Sequence, residues 1–240
     1  MYLFSNLRRS LIVLGVALWL PSVAMTARAD TFTLNFLPAN TFSGTAPAGS
    51  LTATFSDVTN GVQLVIQSSL VGNENLDPNK ALYLNLDPSD NNLLGKLTFT
   101  LESNIGFGQQ AVVEQGRGKH GHYYPDQYKA DGTGGYYDLL FTYHPSTKAF
   151  KGGEEQTYLI TATGGTITAD DFDFPSYGGG EYLAAVHVQN TPTRTRCGSG
   201  SGWVDGTLPP PTTTPEPGSM ALMGTFVLAA CGAIRRRLMK

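Results

Sequence analysis

Leu51-Thr52-Ala53-Thr54-Phe55-Ser56-Asp57-Val58-Thr59-Asn60-Gly61-Val62-Gln63-Leu64-Val65-Ile66-Gln67 decides how this chain folds. Leu51, Ala53 and Phe55 alternate with Thr52, Thr54 and Ser56, and Val62, Leu64 and Ile66 alternate with Gln63, Val65 and Gln67. A period of two places each set on its own face of a strand. Asn60-Gly61 between the runs is the strongest hairpin signal in the chain. Outward from this hairpin, strand-like runs recur at Ala81–Leu86, Leu93–Leu101, Tyr137–Tyr143, Thr157–Thr163 and Leu183–Gln189, separated by Gly, Pro, Asn and Asp. No segment of the middle longer than about ten residues shows helical periodicity. Short strands with frequent turns predict an all-β domain, an antiparallel β-sandwich of jelly-roll-like outline.

The two ends have a different chemistry. Arg8 and Arg9 precede an apolar stretch, Leu11–Leu20, broken by Pro21, and Ala27-Arg28-Ala29 forms an A-x-A cleavage site. This predicts a secretory signal peptide over 1–29, with a helical apolar core and Asp30 as the first mature residue. Arg8-Arg9 also raises the twin-arginine route, but its flanks favour the general secretory one. At the other end, Pro215-Glu216-Pro217 precedes an apolar run from Met220 to Ile234, then Arg235, Arg236 and Arg237. The run is about 15–17 residues, the short end of what crosses a bilayer as a helix. The arginines stay cytoplasmic by the positive-inside rule.

The order of tripeptide, span and basic stop resembles the PEP-CTERM sorting signal of Gram-negative bacteria. That resemblance implies an exosortase-type enzyme that processes the tail. It also implies Pro215, Glu216 and Pro217 as the sorting motif and Arg235–Arg237 as the stop. The middle carries a fainter likeness. Ala81–Pro88, Lys129–Gly132 running to Tyr137–Phe141, Ala184–Gln189 and Ser201-Gly202-Trp203 resemble stretches of uncharacterised PEP-CTERM proteins, which implies an exported β-rich module and no particular activity.

Four regions follow: signal peptide 1–29, β-sandwich domain 30–207, a Pro/Thr-rich linker 208–217 that ends in the tripeptide, and the tail 218–240. The chain has 16 Lys plus Arg and 19 Asp plus Glu. Seven basic residues (Arg8, Arg9, Arg28, Arg235, Arg236, Arg237 and Lys240) and no acids lie in the two end regions. The middle therefore carries 16 − 7 = 9 basic residues against 19 acids, a formal charge of −10. Such a domain repels nucleic acid and anionic lipid. Cys197 is the single cysteine of the expected mature part, so no intramolecular disulfide forms there. Ser199-Gly200-Ser201-Gly202 reads as the start of a looser region, and Leu208–Pro217 as an extended spacer.

Candidate chemistry is sparse. Asp131-Gly132-Thr133-Gly134-Gly135-Tyr136-Tyr137-Asp138 sets acidic oxygens in a glycine-rich turn, the shell a hard cation such as calcium takes. Its spacing is not that of an EF-hand, and the alternative is a plain turn opening the strand at Tyr137. Asp131 and Asp138 are the metal candidates, with Asp170, Asp171 and Asp173 as a second acidic patch. His120-Gly121-His122 supplies two imidazoles, short of the four ligands of a structural zinc site without His144 or His187. Tyr123, Tyr124 and Trp203 are candidates for stacking on sugar rings, or for covering the sandwich edge. Gly198–Gly202 puts glycine at the centre of a would-be nucleophile elbow. No carboxylate pair stands out for glycoside hydrolysis, and no phosphate-binding glycine loop is present. The expectation is an exported, non-enzymatic protein of the cell envelope, surface or matrix, held transiently in the membrane by its tail. Alternatives are an exopolysaccharide-binding module or, behind it, a secreted hydrolase. No cofactor is expected beyond calcium.

Overall fold

The computed structural model describes residues 31–38, 43, 45–116, 122–131, 135–143, 148–179, 182–192 and 200–208. The expected signal helix with Ala27 and Ala29, the Pro215-Glu216-Pro217 motif, the transmembrane tail and Arg235–Arg237 all lie outside these residues, as do Cys197, His120 and His144. Among the described residues no helix is long and apolar enough to cross a membrane.

The strands, in chain order, are β1 (Thr31–Pro38), β2 (Leu51–Val58), β3 (Gly61–Ser68), β4 (Asn75–Leu76), β5 (Leu82–Leu84), β6 (Leu97–Ile105), β7 (Val112–Gln115), β8 (Tyr128–Lys129), β9 (Tyr136–Tyr137), β10 (Leu139–Thr142), β11 (Glu155–Ala162), β12 (Ala184–Thr191) and β13 (Gly200–Thr207). Among the described residues two short 3-10 helices, Pro88–Leu93 and Ala169–Phe172, sit between them. The expected hairpin is present as β2 and β3, in register from Leu51↔Ser68 to Val58↔Gly61. Leu51, Ala53, Phe55, Val62, Leu64 and Ile66 all point into the core, as the alternation requires. Thr59 and Asn60 make the turn, with Asn60 at φ 75°, a conformation Asn tolerates better than most side chains. Gly61 already belongs to β3. A Cβ there would sit 2.1 Å from the Ile160 carbonyl oxygen, so close approach of β11 is what requires the glycine.

Among the described residues all strand pairings are antiparallel, and one sheet runs β6-β11-β3-β2-β1-β13-β12-β5-β10-β7, with β4 also on β12. The all-β, antiparallel expectation holds. The strands join in one continuous sheet that bends into a nearly closed barrel. β1 makes this so, because it pairs with β2 on one side and β13 on the other. The halves then face each other across one core. Phe141 of β10 lies 5.5 Å from the Phe99 ring of β6 and 5.7 Å from the Tyr158 ring of β11. At the seam, the Gln115 amide of β7 joins the free edge of β6. Its Oε1 accepts the Gly95 and Leu97 N–H groups at 2.8 and 3.3 Å, and its Nε2 donates to the Leu97 carbonyl at 2.7 Å. The Gln115 amide thereby occupies part of the β6 edge, which would otherwise invite strand addition.

Ser199 lies outside the described residues, but Gly200-Ser201-Gly202, expected to loosen, instead open β13, a central strand between β1 and β12. Glycine there signals crowding rather than freedom. A Cβ on Gly200 would meet the Thr191 hydroxyl at 2.6 Å and the Ser43 carbonyl oxygen at 2.9 Å. In the core, Phe55 stacks between Phe32 and Phe172 at 4.9 Å to each ring. A polar network is also buried there. Tyr143 and Tyr158 each donate to Gln156 Oε1 at 2.9 Å, and Gln156 Nε2 donates to the Gln109 carbonyl. Burial pushes the Tyr158 phenol up to about 12.

Candidate functional site

Side chains alternate across a strand, so β5, β12 and β13 have an outer face as well as a core face. On this barrel one stretch of outer face is covered. Tyr83, Tyr137, Ala185, Ala130 and Trp203 form a second buried cluster, with Tyr128 and Leu140 packed against it. The cover is the β8–β9 hairpin, paired Tyr128↔Tyr137 and Lys129↔Tyr136. Tyr137 points inward and is fully buried, while its neighbour Tyr136 points out, 37% exposed. The hairpin extends by one bridge to Tyr177, which is 70% exposed.

This arrangement buries two of the candidate residues. Trp203, expected as a stacking surface, is only 5% exposed. Its ring packs 5.4 Å from Tyr83 and 4.9 Å from His187, with Lys80 Nζ 5.9 Å above it. Asp138, expected to bind a cation with Asp131, is 3% exposed. One carboxylate oxygen accepts the Asp126 N–H at 2.7 Å and the other the Leu86 N–H at 2.9 Å. Burial nevertheless raises its pKa above the ordinary aspartate value. Asp138 is thus a staple between the β7–β8 connection and the end of β5. Asp131 is exposed, and its carboxylate lies 3.7 Å from Lys80 Nζ. Tyr123 and Tyr124 are exposed, as a binding role needs, at 43% and 49%. The Tyr123 ring lies over Gly95, where a Cβ would come within 2.2 Å of it. Tyr124 is tied by its N–H to the Gly116 carbonyl at 2.7 Å.

The acidic group that comes together is different. Among the described residues Asp87, Asp90 and Asp171 each place a carboxylate oxygen within 4.8 Å of the others. The two 3-10 helices bring them there, with the Asp87 N–H donating to the Asp171 carbonyl at 2.7 Å. Asp171 Oδ2 also accepts the Thr168 N–H at 2.7 Å. Burial, then the charges of Asp171 and Asp87, raise the Asp90 pKa. Oxygen-only shells of this kind suit calcium. Asp171 belonged to an acidic patch visible in sequence, but its partners lie about eighty residues earlier in the chain, and local spacing carries no signal of them.

Two further polar features stand out. His187 Nδ1 lies 2.9 Å from Asp77 Oδ2, so Nδ1 carries the ring proton. Burial alone would raise the Asp77 pKa. The His187 hydrogen bond, the Asn79 N–H and the His187 and Lys80 charges outweigh it and hold the carboxyl below its ordinary value. Where β4 bridges from β12 to Lys151, a cleft of about 600 Å³ is lined by Asn75, Gln189, Asn190, Lys148, Lys151 and Glu154. Asn190 sits at φ 59° in a bulge of β12. Sequence reasoning does not single out Tyr136 or Tyr177 as binding residues. The available signal was an aromatic beside the glycines Gly178, Gly179 and Gly180. No family model matches this chain, and neither a curated protein nor a solved structure does.

Proposed function

We propose that this chain is an exported, non-enzymatic protein of the cell envelope or extracellular matrix, sorted through its C-terminal tail. One observation carries the reading: Pro215-Glu216-Pro217, an apolar span and Arg235–Arg237 follow in that order at the end of a chain that opens with a signal-like segment. A processing enzyme of the exosortase type reads the tripeptide outside the span. The arginines stop transfer because they cross a bilayer only at high cost. The barrel supports a structural role for the domain. Its buried acids Glu74 and Asp138 each hold two backbone N–H groups, as expected of a rigid carrier. The tail is tested in a host that has the sorting enzyme. Glu216→Ala leaves the protein inserted and unprocessed. Replacing Arg235, Arg236 and Arg237 with neutral residues releases precursor that still carries its tail. Fractionation with mass measurement separates the two, and wild-type maturation of both variants would falsify the reading.

A second reading, a module that binds exopolysaccharide, is favoured by the exposed tyrosines Tyr123, Tyr124, Tyr136 and Tyr177. Their flat, amphipathic rings suit sugar faces. Trp203 would serve that role only indirectly, by supporting the hairpin. Calcium would act in either reading as a stabilising ion at Asp87, Asp90 and Asp171.

A further inference from the structure

The geometry points to Tyr136 and Tyr177 as a two-ring platform on which pyranose units of an extracellular polysaccharide stack, with Lys129 beside them. This rests on the polysaccharide-binding reading and gives it a site. Tyr136 N–H donates to the Tyr177 carbonyl at 2.9 Å, and Tyr177 N–H donates back to the Tyr136 carbonyl at 3.2 Å. That reciprocal exchange makes them a directly opposed antiparallel pair, so both side chains leave the same face. Lys129 is opposite Tyr136 on the other side. The three form one cross-strand row: Lys129, Tyr136, Tyr177.

The opposite face of the same hairpin is anchored, since Tyr137 is fully buried and Tyr128 packs on the second cluster. The Tyr177 arm is pinned too. Ser176 N–H donates to the Tyr182 carbonyl at 2.8 Å, and Ser176 Oγ donates to the Gly179 carbonyl at 2.9 Å. Gly135 lets this arm approach, since a Cβ there would come 2.4 Å from Ser176 Oγ. Gly178, at φ 86°, lies beside Tyr136, where a Cβ would stand 3.3 Å from the ring. A larger residue at 178 would lean on that ring, and glycine keeps it open. Neither tyrosine stacks on another aromatic ring among the described residues. With its backbone already held by these bonds, the platform orders only side chains when it binds, which keeps the entropy cost small.

The chemistry selects the occupant. The ring faces take the C–H face of a pyranose, while the phenol hydroxyls and the Lys129 ammonium meet sugar hydroxyls or a uronate carboxylate. A second protein copy fits poorly, because three side chains fall far short of the roughly 800 Å² per partner of a stable interface.

The test uses the full chain in detergent, retained on immobilised β-1,4-glucan, dextran and alginate. Wild type is retained on at least one polymer. Tyr136→Ala and Tyr177→Ala each weaken retention about fivefold to tenfold, roughly one stacking contact apiece. Tyr136→Phe and Tyr177→Phe keep most of it, and Tyr123→Ala and Tyr124→Ala keep all of it. Unchanged melting of the alanine variants shows that the loss is not unfolding. Retention that survives Tyr136→Ala/Tyr177→Ala but fails in Tyr123→Ala or Tyr124→Ala overturns the platform and leaves polysaccharide binding standing. Failure of wild type on all three polymers overturns both.

Discussion

The Gln115 side chain holds the Leu97 backbone as a neighbouring strand would, its Nε2 2.7 Å from the carbonyl oxygen and its Oε1 3.3 Å from the nitrogen. One amide thus substitutes for a rung of the ladder at the barrel seam. Gln110 adds a weaker contact, from its Nε2 to the Phe99 carbonyl at 3.5 Å. Gln115→Leu leaves the Gly95 and Leu97 backbone groups without this partner. The expected cost is about 1–3 kcal/mol of stability. Hydrogen exchange should speed up at Leu97 and its neighbours in β6 while the β2–β3 amides stay protected. Uniform acceleration over the whole barrel would show that the seam is not a local device.

Phe55 is the centre of a three-ring stack with Phe32 and Phe172 and has no exposed surface. Phe55→Ala removes both contacts and leaves a cavity between the sheet and the second 3-10 helix. A loss of about 3–5 kcal/mol is expected by urea unfolding. A loss under about 1 kcal/mol would mean that the core collapses onto the gap.

Asp205 gives the barrel a pH dependence of defined sign. It is 4% exposed, and its Oδ1 has no hydrogen-bond partner. Burial raises its pKa from 3.8 to about 6, with a Tyr182 hydrogen bond opposing the rise. Because the folded value lies above the unfolded one, the folded state takes up the proton first. Its stabilising contribution is complete below about 3.8 and is lost as pH rises through about 6. The wild type should therefore gain stability at this site as pH falls from 7 toward 4. Asp205→Asn should raise stability at pH 7.5 by about 1–3 kcal/mol, because each tenfold loss of acidity on folding costs the ionised form about 1.4 kcal/mol. It should also flatten the profile between pH 4 and 6. A variant less stable than wild type at pH 7.5 would sink this account.

Asp138 and Asp131 look alike in the sequence and should behave differently. Asp138→Ala orphans the Leu86 and Asp126 N–H groups, at about 1–3 kcal/mol. Asp131→Ala removes one exposed ion pair with Lys80 and should stay within about 0.5 kcal/mol. Thermal melts of the two variants decide the matter, and equal effects would contradict the assigned roles.

Asp90 is repelled by Asp87 and Asp171. Without divalent ions, Asp90→Asn should raise Tm by about 1 °C, the scale of a few tenths of a kcal/mol in a domain of this size. In millimolar calcium the order should reverse, because the wild type gains binding free energy that the variant has lost. A wild-type Tm indifferent to calcium would mean that the three acids only brace the two 3-10 helices.

The strands whose side chains alternate cleanly were legible without any structure. Leu51, Ala53, Phe55, Val62, Leu64 and Ile66 each announce a face, because a strand repeats every two residues whatever surrounds it. The expected tail and signal are equally local, each written in a continuous run of residues. The sequence does not say whether an outer face will be covered, since the covering element arrives from elsewhere in the chain. Trp203 and Tyr177 show the difference. Only Trp203 is a ligand candidate by sequence, yet it is 5% exposed and Tyr177 is 70% exposed. The β8–β9 hairpin decided this by folding over β5, β12 and β13. Likewise Asp138 became a staple and Asp171 joined Asp87 and Asp90 because chain closure brought distant residues together. Period and composition fix which residues share a face of one strand; only packing between strands fixes what that face meets.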